Sequence, residues 1–298
     1  MSTDAKHPKK TTWRPDPKEM NRGTEQHYQA EWVENFNSNI VSMKRWLPVT
    51  KLYHRLLGTS ALVVNAGPSL ARVDFTPVEK NRDKIFLIVV DRAYEKVKHL
   101  HPDLVVTSEW KITVHNFLKD IRHGQPLLMP VIAHPKVCDL GHRTKAFVYQ
   151  PHPELTEFGQ QLHKMGVNFG HVIQGGSVGT LGASIAMYAG CGRIGMTGLD
   201  LCYSDGIDES WNRQLERTED MNGNPVKTCR AFLASQYWYN EMGRQIVEDN
   251  KKPTGVAIEL FNSSEAGLKI DYWKRISLDD YVAGADYVCD IRRAIRSC

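Results

Sequence analysis

Two hydrophobic periods divide the chain. From residue 24 to 57 the apolar positions Trp32, Phe36, Ile40, Met43 and Leu47 recur at steps of three and four. That spacing predicts a helix with one buried face, with Arg45 and Lys51 on its exposed side. From residue 61 the pattern changes to short continuous apolar runs at 61–64, 85–90, 104–107 and 127–132. Runs without alternation suit strands covered on both faces, as a parallel sheet requires. Helical spacing returns between them at 94–100 and 111–121. Further on, 179–190 reads as a small-residue helix ended by glycine, 193–197 as a strand and 228–248 as a long helix carrying Phe232, Trp238, Tyr239 and Met242. A last strand is expected at 256–261 and a terminal helical segment at 278–295. Strands alternating with helices in this way predict an α/β fold, a doubly wound, mostly parallel, Rossmann-like sheet with an N-terminal helical extension. The expected division is a basic tail over 1–23, the helical extension over 24–58, the Rossmann-like α/β domain over 59–272 and a C-terminal helical segment over 273–298.

Composition narrows the class without naming a function. The 298 residues are 41% apolar and 24% charged, ordinary values for a globular protein. No run of eighteen apolar residues predicts a membrane span. Residues 1–17 are polar, with Lys6, Lys9, Lys10 and Arg14, and hold no apolar core of a secretory signal. A disordered basic tail and a cytoplasmic location are the expectation. The net charge of +4 permits a phosphorylated or nucleic-acid partner but does not argue for one, because no dense basic run with interleaved aromatics occurs. The six cysteines form no C-x-x-C pair, so neither a zinc site nor a disulfide framework is supported.

Candidate chemistry gathers where strands end. The first run leads into Asn65-Ala66-Gly67-Pro68-Ser69-Leu70. A buried strand turning on glycine lets backbone N–H groups face a phosphate, and Ser69 adds a hydroxyl; an ordinary strand-to-helix turn fits the same residues. There is no Gly-Lys-Ser/Thr P-loop and no three-glycine dinucleotide fingerprint. Asp91 closes the second strand, where an acidic residue commonly holds a ribose hydroxyl or caps the next helix. Ser108 and Glu109 close the third; Glu109 fits a metal ligand, a base or a cap. Gln174-Gly175-Gly176-Ser177-Val178-Gly179-Thr180 opens the small-residue helix, an anion site with Ser177 and Thr180 as donors or a point of close helix–sheet packing. After the 193–197 strand come Asp200 and Asp205. Such a pair holds Mg²⁺ through oxygen or supplies a general base, while Ser204-Asp205-Gly206 is also a turn signal. All twelve histidines lie at or before His171, and His134, before Pro135, is the best placed of them.

The ordered segments GPSL, VDRA, PDLVVT, HPKV, GGSVGT, GLDLCYSDG and FNSSEAG resemble, over residues 61–270, a known domain. It is shared by motility-associated (Maf-type) flagellin glycosyltransferases and archaeal 6-hydroxymethylpterin diphosphokinase (MptE-like, DUF115) proteins, and is distantly similar to bacterial sialyltransferases that use CMP-activated sugars. The resemblance implies a nucleotide held by Gly67, Pro68, Ser69, Gly176 and Ser177, lined by Asp91 and Ser108 and closed by residues 200–206. Asn65, Gly175 and Thr180 complete the expected binding set. Catalytic expectations fall on Asp200, Glu109 and Asp205. The expected donor is a CMP- or UDP-sugar, or alternatively ATP, with Mg²⁺ compatible with either. The acceptor is open among small molecule, glycan, protein and nucleic acid, and a homo-oligomer is compatible with the pattern. Two departures stand out: the diphosphokinases carry an Asp-rich metal motif where this chain has Thr107-Ser108-Glu109-Trp110, and the sialyltransferases use a late histidine that is absent here. A non-catalytic nucleotide-binding protein is the remaining alternative.

Overall fold

The computed structural model describes residues 17–151, 164, 168–203, 215–252 and 257–298. Nine strands form one sheet: β1 (Leu47–Pro48), β2 (Ser60–Val64), β3 (Ile85–Val90), β4 (Leu104–Val106), β5 (Pro126–Pro130), β6 (Lys145–Tyr149), β7 (Arg193–Thr197), β10 (Glu259–Asn262) and β11 (Lys274–Arg275). Their order is β1-β6-β5-β4-β3-β2-β7-β10-β11. Every pairing in this sheet is parallel. A separate antiparallel hairpin joins β8 (Leu215–Glu219) to β9 (Pro225–Cys229).

The central strands are buried along their whole length, β2 and β3 at every residue, which is why they read as unbroken apolar runs. Helices cover both faces. A Cβ on Gly182, in the helix Val178–Tyr188, would lie 2.6 Å from Val63 Cγ1, so Val63 points toward that helix. Leu62 and its cross-strand partner Gly195 therefore face the other way. There Gly195 meets the ring of Tyr281, from the helix Leu278–Ala283, and the Tyr281 hydroxyl donates to Ala61 O at 2.7 Å. The sheet is doubly wound, as the alternating pattern predicts.

Several boundaries differ from the expectation. The N-terminal helix runs Pro17–Met43, so part of the expected tail is helical. Trp32, Phe36, Ile40 and Met43 are buried, the face that the spacing predicts. The helix does not continue to Leu57. Leu47 instead pairs with Phe147 as an edge strand, followed by a 3₁₀ turn Val49–Leu52; Pro48 lacks the N–H that helix continuation needs. The expected terminal segment contains the edge strand β11 and two short helices, Leu278–Ala283 and Ile291–Arg296, separated after Gly284. The strand β6, the hairpin β8–β9 and both edge strands carry no run long enough to be read. Among the described residues no helix is long and apolar enough to cross a membrane.

At the amino ends of β3 and β4 one buried ion pair fixes the chain. Arg82 donates to Leu100 O, Ile85 O, His101 O and, at 2.7 Å, to Asp103 Oδ2. Asp103 Oδ2 also accepts from Leu87 N at 2.9 Å. Removing one member leaves the other buried and uncompensated. Arg82→Ala is therefore expected to lower unfolding free energy by about 3–5 kcal/mol, whereas replacing both members with apolar residues of similar volume costs less. Urea denaturation of the two variants checks the ordering.

Candidate functional site

In a parallel sheet every strand's carboxyl end lies on one edge. β2 has β3 on one side and β7 on the other, so the chain order reverses here, the place where open α/β sheets form their ligand crevice. Register makes the juxtaposition specific. Val64 is opposite Thr197, and Asn262 is opposite Met196. The loops starting at Asn65, Gly198 and Ser263 therefore emerge side by side.

These loops are bonded to one another. Asn65 N donates to Thr197 O, and Gly67 N to Gly198 O, both at 2.8 Å. Ser69 donates to both oxygens of Asp200, from its backbone N at 2.7 Å to Oδ2 and from its hydroxyl to Oδ1. Leu199 N donates to Ser264 Oγ, and Leu268 N to Asp200 O, at 2.8 Å each. The glycines make this approach feasible. A Cβ on Gly67 would lie 2.5 Å from Gly198 O and 2.6 Å from Asp200 Cγ, and one on Gly267, at φ +115°, would overlap the Asp200 backbone. Asp200 is 3% exposed. Burial pushes its carboxyl above the usual range, against the opposing pull of the Ser69 bonds. Its observed role is to clamp the Gly67-Pro68-Ser69 turn.

That clamp changes which loop can receive an anion. Of the five N–H groups in residues 65–70, those of Asn65, Gly67, Ser69 and Leu70 already bond to protein oxygens. The turn continues as a short 3₁₀ helix, Pro68–Arg72. At the other glycine motif the situation is reversed. Among the described residues, the N–H groups of Gly176, Ser177, Val178 and Gly179 make no hydrogen bond to protein. They open the eleven-residue helix Val178–Tyr188, so its positive dipole end is also available. Ser177 sits at the N-cap position, yet its buried hydroxyl bonds to nothing among the described residues. Thr180 faces inward instead: its hydroxyl donates to Ser177 O at 2.6 Å and accepts from Gly175 N at 2.8 Å, buckling the turn. Gly175 lets Trp238 pack against the turn, and Gly179 lets the Asn65 amide oxygen do so. The Asn65 contact brings the two glycine motifs together, as sequence order suggests.

The acidic positions form a third wall. Asp91, 4% exposed, accepts from the Thr107 hydroxyl and from Arg92 N, both at 2.7 Å. Burial raises its pKa; those two bonds lower it, and the Glu109 charge adds to the rise. Glu109 is half-buried, with Oε1 accepting from Trp110 N at 3.1 Å. Among the described residues its other oxygen has no hydrogen bond, and neither has the half-buried Ser108 hydroxyl. Tyr149 OH lies 3.4 Å from both Thr107 O and Gln174 Oε1, joining this wall to the glycine turn. Asp205 lies outside the described residues. His134 caps a short helix by accepting from Lys136 N, away from these walls in the chain's bonding. Burial pushes the Cys138, Cys191 and Cys202 thiols up to about 12, so none is a thiolate nucleophile at neutral pH.

Sequence reasoning missed Tyr149, on an unread strand, and the buried, unpartnered hydroxyl of Tyr239, assigned only to an apolar helix face. The hydroxyls of Thr197, Tyr239 and Ser263, like that of Ser177, are buried without a hydrogen-bond partner among the described residues. A buried unsatisfied hydroxyl is costly, and no local pattern marks one.

The fold and crevice thus define a doubly wound α/β protein with its candidate site at the topological switch point. The 6-hydroxymethylpterin diphosphokinase MptE-like family model matches residues 34–206, and the chain belongs to that family. The solved structure of a Maf glycosyltransferase from Magnetospirillum magneticum AMB-1 shares the fold, with a TM-score of 0.58 and 19% identity. The likeness covers 84% of this chain but only 40% of that one. No curated protein sequence matches the chain.

The raised pKa of Asp91 generates a pH-dependent expectation. Below the ordinary value near 3.8 the side chain is neutral in both folded and unfolded states. As pH rises through the folded pKa, the buried site must hold an unfavourable charge and stability is lost. Asp91→Asn mimics the neutral form, so its stability relative to the wild type should improve from pH 4 to pH 8. Thermal unfolding across that range checks the sign.

Proposed function

We propose that the chain is a transferase that binds the phosphate of a nucleotide-activated donor at Gly176–Gly179 and transfers a sugar from it to an acceptor hydroxyl. The observation that carries this reading is the row of four N–H groups, unbonded among the described residues, with the Ser177 hydroxyl, at the same carboxyl edge of the sheet as Glu109. A nucleotide phosphate gains negative charge as its bond to the sugar's anomeric carbon breaks. Fixed amides and a helix dipole stabilise that charge without reorganising. Ser108 lies on the same edge, its half-buried hydroxyl suited to sugar or ribose hydroxyls, with the buried Asp91 behind it holding Thr107. The acceptor oxygen bonds to the anomeric carbon while its proton passes to a carboxylate. Glu109 is the base on geometric grounds, because it is partly open and has a free oxygen. Asp200 and Asp91 have both oxygens occupied, and Asp200 acts by holding the Ser69 turn.

The family match favours a second reading, transfer of diphosphate from ATP to a pterin-type alcohol. The same cradle would hold the triphosphate. Among the described residues no three His, Cys, Asp or Glu side chains converge as a metal site. Mg²⁺ would fit here in its usual manner, shared between donor phosphates and one or two carboxylates, with Glu109 the open one. The two reactions differ in products: released nucleotide from CMP- or UDP-sugars in the first, Mg²⁺-dependent AMP from ATP in the second.

Glu109→Gln is expected to reduce turnover by about 10²–10⁴-fold while leaving donor affinity within a few-fold of the wild type. Ser177→Ala should weaken donor binding by about 10-fold, the loss of one hydrogen bond to a charged group. Calorimetry with CMP- and UDP-sugars and with ATP, followed by chromatography of the products, reads both effects. Failure of every donor to bind would overturn the transferase reading, and binding without turnover of any of them would leave a nucleotide-binding protein.

A further inference from the structure

A second concentration of charge lies on the opposite edge of the sheet. His101, Pro102 and Asp103 lead into β4, and Arg122, His123, Gly124 and Gln125 lead into β5. With Arg292, Ile295 and Arg296 of the last helix they line a cavity of about 330 Å³. That volume lies within the range of small-ligand pockets. Since the strands are parallel, the cavity is at their amino ends, across the sheet from the crevice.

The cations here are under-compensated. Among the described residues the lining holds three guanidinium groups and two imidazoles, and Asp103 is its one carboxylate. Asp103 is 1% exposed on its side chain and already bonded to Arg82 and Leu87 N. Arg292 approaches its other oxygen only to 3.9 Å. Arg122 bonds to His101 Nδ1, an arrangement that needs a neutral imidazole. Burial, and then the charges of Arg122, Arg292 and Arg82, hold the His101 pKa below its ordinary value. The Arg296 and His123 side chains make no hydrogen bond or ion pair among the described residues. His101 itself takes φ +54°, a left-handed backbone uncommon outside glycine and often found at functional positions.

A separate observation concerns Gln125, 3% exposed. Its amide nitrogen donates to Pro102 O at 2.9 Å and to Pro126 O at 3.3 Å. The orientation is thereby fixed, and Oε1 is left buried in the cavity wall without a partner among the described residues. A ligand that suits this lining has an anionic group for the guanidinium forks.

From this combination we infer that the cavity is a binding site for a small phosphate-bearing anion, separate from the crevice. Planar guanidinium groups bind phosphoryl oxygens in pairs. Two or more negative charges match the lining better than a single carboxylate does. The small volume favours a small molecule over a nucleic-acid strand, which would need a longer groove.

Inorganic pyrophosphate is the probe, titrated by calorimetry into the full chain, with sulfate at matched ionic strength for comparison. Saturable binding is expected, with a site that is weakened at least tenfold in the double variant Arg122→Gln/Arg292→Gln and still present in Ser177→Ala. All the altered arginines are exposed, and circular dichroism confirms folding; Arg296→Gln supplies the same readout should the double variant unfold. No saturable binding, equal binding in the arginine variants, loss through Ser177→Ala alone, or sulfate binding as tightly as pyrophosphate would each overturn the assignment.

Discussion

The buried carboxylate of Asp200 is the interaction on which the candidate site depends. It receives both donors of Ser69 while its own carbonyl accepts from Leu268, so segments far apart in sequence meet on one residue. Burying such a charge is unfavourable unless it is hydrogen-bonded. Here the bonds come from the turn after β2, which ties that turn to the one after β7. Gly67, Gly198 and Gly267 leave the space without which these backbones could not approach. The ion pair of Arg82 and Asp103 does similar work at the other end of the strands.

Four of the five N–H groups of the first glycine turn are bonded to protein, so the proposed phosphate contacts fall on the second turn. The two motifs look alike as strings, each with glycine, serine and an adjoining apolar segment. They differ in the helix that each one opens. One runs into five residues of 3₁₀ helix and has four of its five N–H groups bonded; the other opens an eleven-residue helix and leaves four unbonded among the described residues. The first is scaffold and the second is the surface with electrostatic capacity. They remain coupled, since Asn65 packs directly on Gly179.

The acidic wall shows the same division between structure and chemistry. Asp91 is held by Thr107 and Arg92 N, and Glu109 keeps one oxygen unengaged among the described residues. Tyr149 links this wall to the glycine turn through Thr107 and Gln174. Its strand, Lys145–Tyr149, mixes lysine with only four buried residues, too little pattern to separate from a loop. The edge strands were illegible for the same reason: two residues carry no period, and pairing with a neighbour is what makes Leu47 and Lys274 strands.

Sequence alone determined the central strands, because burial on both faces writes an unbroken apolar run into the chain. It also determined the edge on which the site lies, since parallel strands deliver the loops after them to one side. The glycine motifs, Asp91, Ser108, Glu109 and Asp200 were legible as strand-end residues for that reason. Only tertiary structure decided how they divide the work. Whether an amide is free or bonded depends on a partner more than a hundred residues away, as Ser69 and Asp200 show, and no local period records that. The cationic cavity at the amino ends was hidden likewise. Its arginines and histidines come from three separated segments, each ordinary alone, and become a site only where the fold packs the last helix beneath β4 and β5.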